Sequence, residues 1–146
     1  MIWIGGPISR LFESKVMTAL QTHRYASPVS TGCGTAVSSE ALLVLTTCAN
    51  AADAGSLAAL LVERRLAACV NALDKVTSTY RWQGRVQQDQ ETLLVIKTTA
   101  ACYPAVEQAI RAHSKYELPE VLAVPVAAGS SAYLDWVRES VAGNED

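Results

Sequence analysis

The sequence predicts an α+β fold: one antiparallel sheet built in the order β-α-β-β-α-β, followed by a C-terminal helix. Three observations support this. Apolar runs of strand length alternate with amphipathic stretches of helix length, a glycine-containing turn joins two neighbouring strand patterns, and the last stretch repeats at helical spacing. The chain has 146 residues, of which 50% are hydrophobic, so it can bury one core. This length suits one domain and a terminal extension better than two domains.

A strand and a helix are predicted to open the domain. Residues 41–46 form a short apolar run that ends in threonine, which is typical of a buried strand. Over residues 53–66, apolar side chains recur at helical spacing while charged side chains occupy mostly other faces. Asn50 and Asp53 are the two candidate N-caps of this helix.

Two further strands joined by a tight turn are expected next. Residues 67–72 begin a strand that becomes irregular near Asp74-Lys75 and resumes with alternation over residues 76–82. Gln83-Gly84 supplies the turn, because glycine accepts the backbone angles of a two-residue hairpin loop. The returning strand is apolar on both faces from residue 91 to residue 98, which is typical of a covered central strand.

A helix, a strand and a last helix complete the predicted domain. Residues 103–113 carry an apolar helical stripe, with Thr98-Thr99 as cap candidates. Residues 121–126 form an apolar strand whose Pro125 favours a sheet edge or a bulge. Residues 133–141 give the third amphipathic helix. This order is the split βαβ, or ferredoxin-like, plan.

The predicted sheet carries apolar residues on both sides. Leu94 and Ile96 alternate with Leu93 and Val95 along one strand, so each pair faces a different side of the sheet. Helices on one face leave the other face uncovered, and a partner subunit is the simplest cover. The hairpin around Gln83-Gly84 carries aromatic residues and is the expected arm of that contact.

Residues 1–40 differ in composition and periodicity from residues 41–146, which form the predicted domain. Small residues and prolines are frequent there, and no period of a helix or strand persists. A flexible extension or a start codon assigned too early is expected. An organellar transit peptide is the alternative, because basic residues outnumber acidic ones and serines are common. Function is expected in the domain.

Composition excludes several classes of partner and activity. The net charge is −2 without a concentrated basic patch, so no nucleic-acid partner is expected. No apolar run is long enough to cross a bilayer, so no membrane partner is expected. Four cysteines, never spaced as C-x-x-C, indicate reduced thiols in a cytoplasmic protein. The motifs of common hydrolases, metalloproteases and nucleotide-binding enzymes are absent from the sequence, so the expected protein is not an enzyme.

Five segments in the same order resemble the CutA family of divalent-cation tolerance proteins. They are residues 63–71 (ERRLAACVN), 76–84 (VTSTYRWQG), 91–98 (ETLLVIKT), 116–121 (YELPEV) and 133–137 (YLDWV). The resemblance implies a ferredoxin-like homotrimer, linked to tolerance of copper and other divalent cations and without an established catalytic reaction. Copper or another divalent cation is therefore the implied bound metal.

Copper favours thiolate and imidazole ligands, which makes His113, Cys69 and Cys48 the candidate metal ligands. The sequence departs from the family pattern at two points. The more usual histidine position is occupied by Ser114, and the cysteine of the first strand in some bacterial members corresponds to Thr46, two residues before Cys48. The alternatives are helix-end contacts for His113 and a small buried apolar role for Cys69.

A second set of candidates combines charge with aromatic rings, and the resemblance implies that such residues gather near clefts between subunits. The set is Tyr80, Trp82, Glu91, Lys97, Tyr116 and Glu117. Lys97 is expected to pair with Glu117 or Glu91, or to bind an anionic ligand. The main hypothesis is a non-enzymatic, copper-binding homotrimer in metal-ion response. The alternatives are a PII-like signalling trimer that binds a small anionic ligand or a protein partner, and a structural scaffold.

Overall fold

Seven elements follow one another along residues 40–143, which this computed structural model describes. The expectations for the N-terminal extension up to residue 39 lie outside the described residues. The elements are β1 (Ala41–Cys48), α1 (Ala51–Glu63), β2 (Cys69–Trp82), β3 (Arg85–Thr99), α2 (Tyr103–His113), β4 (Leu122–Pro125) and α3 (Ser131–Val141). The predicted α+β order is confirmed.

The four strands form one antiparallel sheet in the order β2-β3-β1-β4. β1 pairs with β3 from Ala41 opposite Thr99 to Cys48 opposite Thr92. β4 pairs with β1 at the edge of the sheet, so the expected edge position of Pro125 is confirmed.

The hairpin between β2 and β3 contains both predicted irregularities. The register shifts between Leu73 and Val76, where β2 has one residue more than β3, and Lys75 has a φ of 60°. At the turn, Gln83 and Gly84 have φ values of 49° and 79°. Positive φ at both central residues matches the twist of the flanking strands, as in a type I′ turn.

The hairpin extends beyond the four-stranded part of the sheet. Because β1 reaches β3 only as far as Thr92, residues 76–91 form a two-stranded ribbon, called the arm below. Most of the arm is exposed, and Val86 retains 65% of its accessible surface. The structure therefore gives the chain a projecting element, as the sequence predicts.

Strand pairing sorts the apolar residues into an inner and an outer face. On the inner face, Val44, Leu94 and Ile96 are fully buried in one cluster with residues of α1 and α2, including Leu61 and Ile110. Residues of the outer face remain partly exposed in the single chain. They are Leu43, Leu45, Leu93 and Val95, which are half-buried, and Leu73, Leu122 and Val124, which are exposed. The expectation that Leu94/Ile96 and Leu93/Val95 occupy opposite faces is confirmed.

Helix caps agree with the sequence at one helix and differ at another. Asn50 is the N-cap of α1, and its side-chain oxygen accepts the N–H of Asp53 at 2.9 Å. The expected threonine cap of α2 is wrong. Thr98 and Thr99 belong to β3, the N-cap is Cys102 without a side-chain bond, and a proline in the first turn starts the helix. The Thr98 hydroxyl instead donates to the Leu66 carbonyl at 2.6 Å.

Candidate functional site

The three candidate metal ligands lie on two faces of the sheet. Cys48 pairs with Thr92 and packs against the inner core cluster. Cys69 pairs with Lys97 on the outer face, and β3 separates its strand from β1. The structure therefore does not bring Cys69 together with Cys48.

Cys48 and His113 line one small cavity. It lies between the end of β1 and the C-terminal end of α2, and its volume is about 20 Å³, which is room for one water or one ion. Thr46, Asp53 and Lys115 also line it. Neighbouring residues of β1 and the end of α2 thus place a thiol and an imidazole at one site.

Hydrogen bonding fixes the tautomer of His113. Its Nδ1 lies 2.9 Å from the carbonyl oxygen of Ala109, one turn earlier in α2. A carbonyl oxygen only accepts, so Nδ1 carries the proton. In the neutral imidazole, Nε2 then presents its lone pair, which is the arrangement found in metal-binding histidines.

The Cys48 thiol is held in its protonated form at neutral pH. Burial raises its pKa above the usual value of 9.0, and the negative charges of Asp53 and Glu91 raise the pKa further. A metal ion at this sulfur must therefore displace a proton.

The Thr46 hydroxyl is the least satisfied polar group of the cavity. Thr46 is 1% exposed, and its Oγ1 makes no hydrogen bond with any residue from 40 to 143. A buried hydroxyl without a partner is destabilising by about 1–3 kcal/mol. Because Thr46 lines the same cavity as Cys48, this oxygen is suited to a polar occupant.

An ion pair stands beside these groups. Lys115 Nζ lies 2.7 Å from Asp53 Oδ2, and the Asn50 side-chain amide donates to the same oxygen at 2.8 Å. The hydrogen bond from Lys115 is the main cause of the lowered pKa of Asp53. The carboxylate is thus charged and already paired.

The donor set of the cavity is limited to two soft ligands. In the part of the chain that the structure describes, no three His, Cys, Asp or Glu side chains are grouped closely enough to hold a metal ion. A thiol and a neutral imidazole suit copper, and the unsatisfied Thr46 hydroxyl leaves a polar position beside them. The types of donor present therefore suit copper.

Part of the second candidate set meets at the base of the arm. The Tyr116 hydroxyl donates to Glu91 Oε1 at 2.7 Å, and the Tyr80 hydroxyl donates to Asp89 Oδ2 at 2.6 Å. Burial, and then the hydrogen bond to Glu91, raise the pKa of Tyr116. The bond to Asp89 raises the pKa of Tyr80. Sequence reasoning missed Asp89, although it shares a strand face with Glu91 through the two-residue period.

The other members of that set lie elsewhere, and Lys97 makes no ion pair with Glu91 or Glu117 within the described residues of one chain. Six residues of strand, about 20 Å, separate Lys97 from Glu91. Lys97 Nζ instead lies 3.8 Å from Cys69 Sγ and forms no ion pair with Glu117 or any other described residue. Trp82 closes the hairpin opposite Arg85, and Glu117 is exposed.

Two further expectations concern the cysteines and membranes. Cys48 and Cys69 are free thiols, whereas Cys102 is disulfide-bonded, so the expectation of reduced thiols is wrong for Cys102.

Among residues 40–143, no helix has both the length and the apolar character that a membrane span needs.

The sheet order and the two helices beside it define a ferredoxin-like α+β domain, here with a thiol–imidazole cavity at one end of the sheet. Residues 42–140 match the family described as CutA1 divalent ion tolerance protein. The chain belongs to this family, which confirms the resemblance seen in its sequence motifs.

Similar proteins support the assignment. The chain is 47% identical over 98 residues to the divalent-cation tolerance protein CutA of Thermus thermophilus, covering 67% of this chain and 95% of that one. It is 44% identical over 93 residues to human protein CutA, covering 64% of this chain and 52% of the human protein. The chain thus spans about half the length of its human relative. The solved structure of the Thermus thermophilus protein has a TM-score of 0.67 and 46% identity, covering 68% of this chain and 97% of that chain.

The names of other relatives point to different compartments. A relative from Arabidopsis thaliana, 38% identical over 99 residues and covered over 54% of its length, is named chloroplastic. A structure from Archaeoglobus fulgidus, 28% identical with a TM-score of 0.68, is named periplasmic.

Proposed function

We propose that this chain is a non-enzymatic homotrimer that binds copper and serves in tolerance of divalent cations. One observation carries the proposal: a member of a divalent ion tolerance family places Cys48 and His113 on the same small cavity. A cytoplasmic location is proposed with it, and organellar targeting by residues 1–40 is the alternative.

Cys48 and His113 are the residues proposed to hold the metal. Copper prefers thiolate and imidazole ligands, and the His113 tautomer leaves Nε2 available. Bound copper would act as cargo or as a signal, because the sequence carries none of the common catalytic motifs beside the proposed ligands. Cys69, on the opposite face of the sheet, is proposed to take no part in this site.

Homotrimer formation is supported by the outer face of the sheet. Its exposed residues Leu73, Leu122 and Val124 have accessibilities of 47%, 54% and 45%, and they continue the half-buried apolar row of β1 and β3. Contiguous exposed apolar surface marks interaction sites. Copies of the same chain are the proposed cover, and three is the number that the family resemblance implies.

Titration calorimetry with Cu(I) and with Cu(II) tests metal binding. Wild-type chain and Cys69→Ser are expected to bind at micromolar concentrations or tighter, while Cys48→Ser and His113→Ala lose most of the affinity. Cys69→Ser is the matched control, because it removes a free thiol on the other face of the sheet. Absence of binding in the wild-type chain would reject the direct-binding role.

Light scattering tests the assembly. A mass near three times 15.6 kDa is expected at micromolar chain concentration. Val124→Lys places a charge on the outer face and is expected to lower that mass, whereas Val62→Lys, on the exposed side of α1, leaves it unchanged. A stable wild-type mass near 15.6 kDa contradicts the trimer.

One observation favours the second candidate, a PII-like trimer that binds a small anion or a protein partner at clefts between subunits. Lys97 has no carboxylate partner among the residues that the structure describes, and it lies on the outer face beside Cys69. Thermal-shift screening with nucleotides and organic anions tests this role. A stabilising shift that Lys97→Met abolishes supports it, and no shift with any anion counts against it.

A further inference from the structure

An unsatisfied hydroxyl stands in the cavity of Cys48 and His113. Thr46 is 1% exposed, yet its Oγ1 has no hydrogen-bond partner among residues 40–143. Such a group is rare in a folded protein unless a water, an ion or a ligand completes it. The cavity beside it has a volume of about 20 Å³, so a single small occupant fills it.

Thr46 and Cys48 are two residues apart on β1. Side chains at this spacing project from the same face of a strand, and both residues line the cavity. The hydroxyl and the sulfur therefore border the same small cavity. When a metal ion displaces the proton of Cys48, the sulfur becomes a hydrogen-bond acceptor to which the Thr46 hydroxyl can donate.

Only one of the two ligands is charged when bound. Cys48 supplies one negative charge as a thiolate, and His113 is neutral with its Nδ1 proton held by Ala109. A monovalent cation makes the ligand pair neutral, whereas a divalent cation leaves one positive charge on it. Asp53, which is paired with Lys115, and Glu91 add negative charge near the sulfur, so charge does not decide between the two ions.

The number of ligands favours Cu(I). No third His, Cys, Asp or Glu joins the pair within the described part of the chain, and Asp53 is held by Lys115. Cu(I) is stable with two soft ligands, while Zn(II) and Cu(II) favour about four. The C-terminal end of α2, where His113 lies, also carries the negative end of the helix dipole, which attracts a cation.

We propose that this cavity is selective for Cu(I), bound by Cys48 Sγ and His113 Nε2, and that Thr46 stabilises the metal-bound thiolate through its hydroxyl. The inference deepens the proposed function and rests on it, since it takes copper binding at this cavity as given. Thr46 acts as a positioning residue, because its oxygen serves the sulfur and does not bind the metal.

The binding step is balanced without electron transfer. Copper arrives as Cu(I), the sulfur–hydrogen bond of Cys48 breaks, a sulfur–copper bond forms, and the proton passes to water. His113 contributes the lone pair of Nε2 and keeps its Nδ1 proton on the Ala109 carbonyl. No oxidant or reductant is needed.

Competition with the chromophoric chelator bathocuproine disulfonate, under anaerobic conditions, measures the Cu(I) affinity of the full chain. Thr46→Val keeps the shape and removes the hydroxyl, and it is expected to weaken Cu(I) binding about tenfold or more. Thr46→Ser keeps the hydroxyl and is expected to bind within about threefold of wild type. Cys69→Ser serves as the thiol control on the other face.

Thermal unfolding without metal shows whether the valine variant is folded. Because the wild-type hydroxyl is unsatisfied, metal-free Thr46→Val is expected to unfold at the wild-type temperature or above. Weaker Cu(I) binding together with intact stability supports the role of the hydroxyl. Equal Cu(I) affinity of Thr46→Val and wild type overturns it.

Parallel titrations with Zn(II) and Cu(II) separate this inference from the proposed function. Cu(I) is expected to bind at least a hundredfold tighter than Zn(II). Tighter binding of Zn(II) or Cu(II) at Cys48 and His113 overturns the selectivity while metal binding itself stands. Absence of binding by all three ions overturns both.

Discussion

Replacing Tyr116 with phenylalanine removes the hydroxyl that donates to Glu91 Oε1 across 2.7 Å. Glu91 is only 9% exposed, so water replaces the lost donor poorly. Hydrogen bonds to charged groups contribute about 1.5–3 kcal/mol. Tyr116 itself is 37% exposed, which places the expected loss at the lower end, about 1.5 kcal/mol in the free energy of unfolding.

Urea unfolding, followed by circular dichroism at one fixed chain concentration, measures this loss. Tyr80→Phe is the matched control. It removes a similar phenol–carboxylate bond, to Asp89 at 2.6 Å, but Tyr80 is 43% exposed and Asp89 is exposed as well. Its loss is expected to be clearly smaller than that of Tyr116→Phe, because solvent screens the exposed pair. If Tyr116→Phe costs no more than Tyr80→Phe, the burial of Glu91 does not strengthen its bond, and the reasoning fails.

Three further predictions concern pH, a cap and the core. Because the folded pKa of Tyr116 lies above its unfolded value of 10.0, its stabilisation is present below pH 10 and falls as the pH rises further. The difference in unfolding free energy between wild type and Tyr116→Phe should therefore shrink between pH 10 and pH 11, and a constant difference would contradict this. Asn50→Ala removes the acceptor of the Asp53 N–H and is expected to lower the unfolding free energy by about 1 kcal/mol, while Asn50→Ser stays within about 0.5 kcal/mol of wild type. Equal losses in the two variants would exclude a capping role. Leu94→Ala opens a cavity in the fully buried core and should cost about 2–5 kcal/mol in urea unfolding, against about 0.5 kcal/mol for Leu118→Ala, whose side chain is 59% exposed. A loss at Leu94 below about 1 kcal/mol would show that the site collapses around the change.

Local sequence signals predicted the order of the elements and the hairpin. The turn at Gln83-Gly84 can be recognised because glycine accepts a positive φ, and the bulge near Lys75 because the strand pattern breaks there, so both follow from the chain alone. The edge position of Pro125 follows in the same way, because proline lacks the N–H that an interior strand must donate.

Side-chain contacts could not be predicted in this way. The predicted plan already separates Cys69 from Cys48 and Lys97 from Glu91, but the sequence motifs did not show which side chains meet. Thr98 has the side chain of a good helix cap, but pairing with β1 and the bond to the Leu66 carbonyl keep it in the sheet.

The sequence predicted which types of residue form the candidate site, but it identified only some of the residues themselves. His113 and Cys48 were candidates because of their chemistry, and the structure places both on one cavity. Thr46 was noted only as the position of a missing cysteine. Its unsatisfied hydroxyl becomes visible only when every donor around it is known, because that property depends on the whole neighbourhood.

The projecting hairpin has a consequence for local stability along the chain. A two-stranded ribbon alone is marginally stable in water, and residues 76–91 lack a third strand within their own chain. In the proposed trimer, their amide protons should exchange with solvent faster as dilution separates the copies. Those of residues 92–99, paired on both sides, should exchange at a rate that dilution affects far less. In the proposed trimer, the tip of the ribbon would report the presence of neighbouring copies, and these copies would supply the rigidity that the hairpin lacks in a single chain.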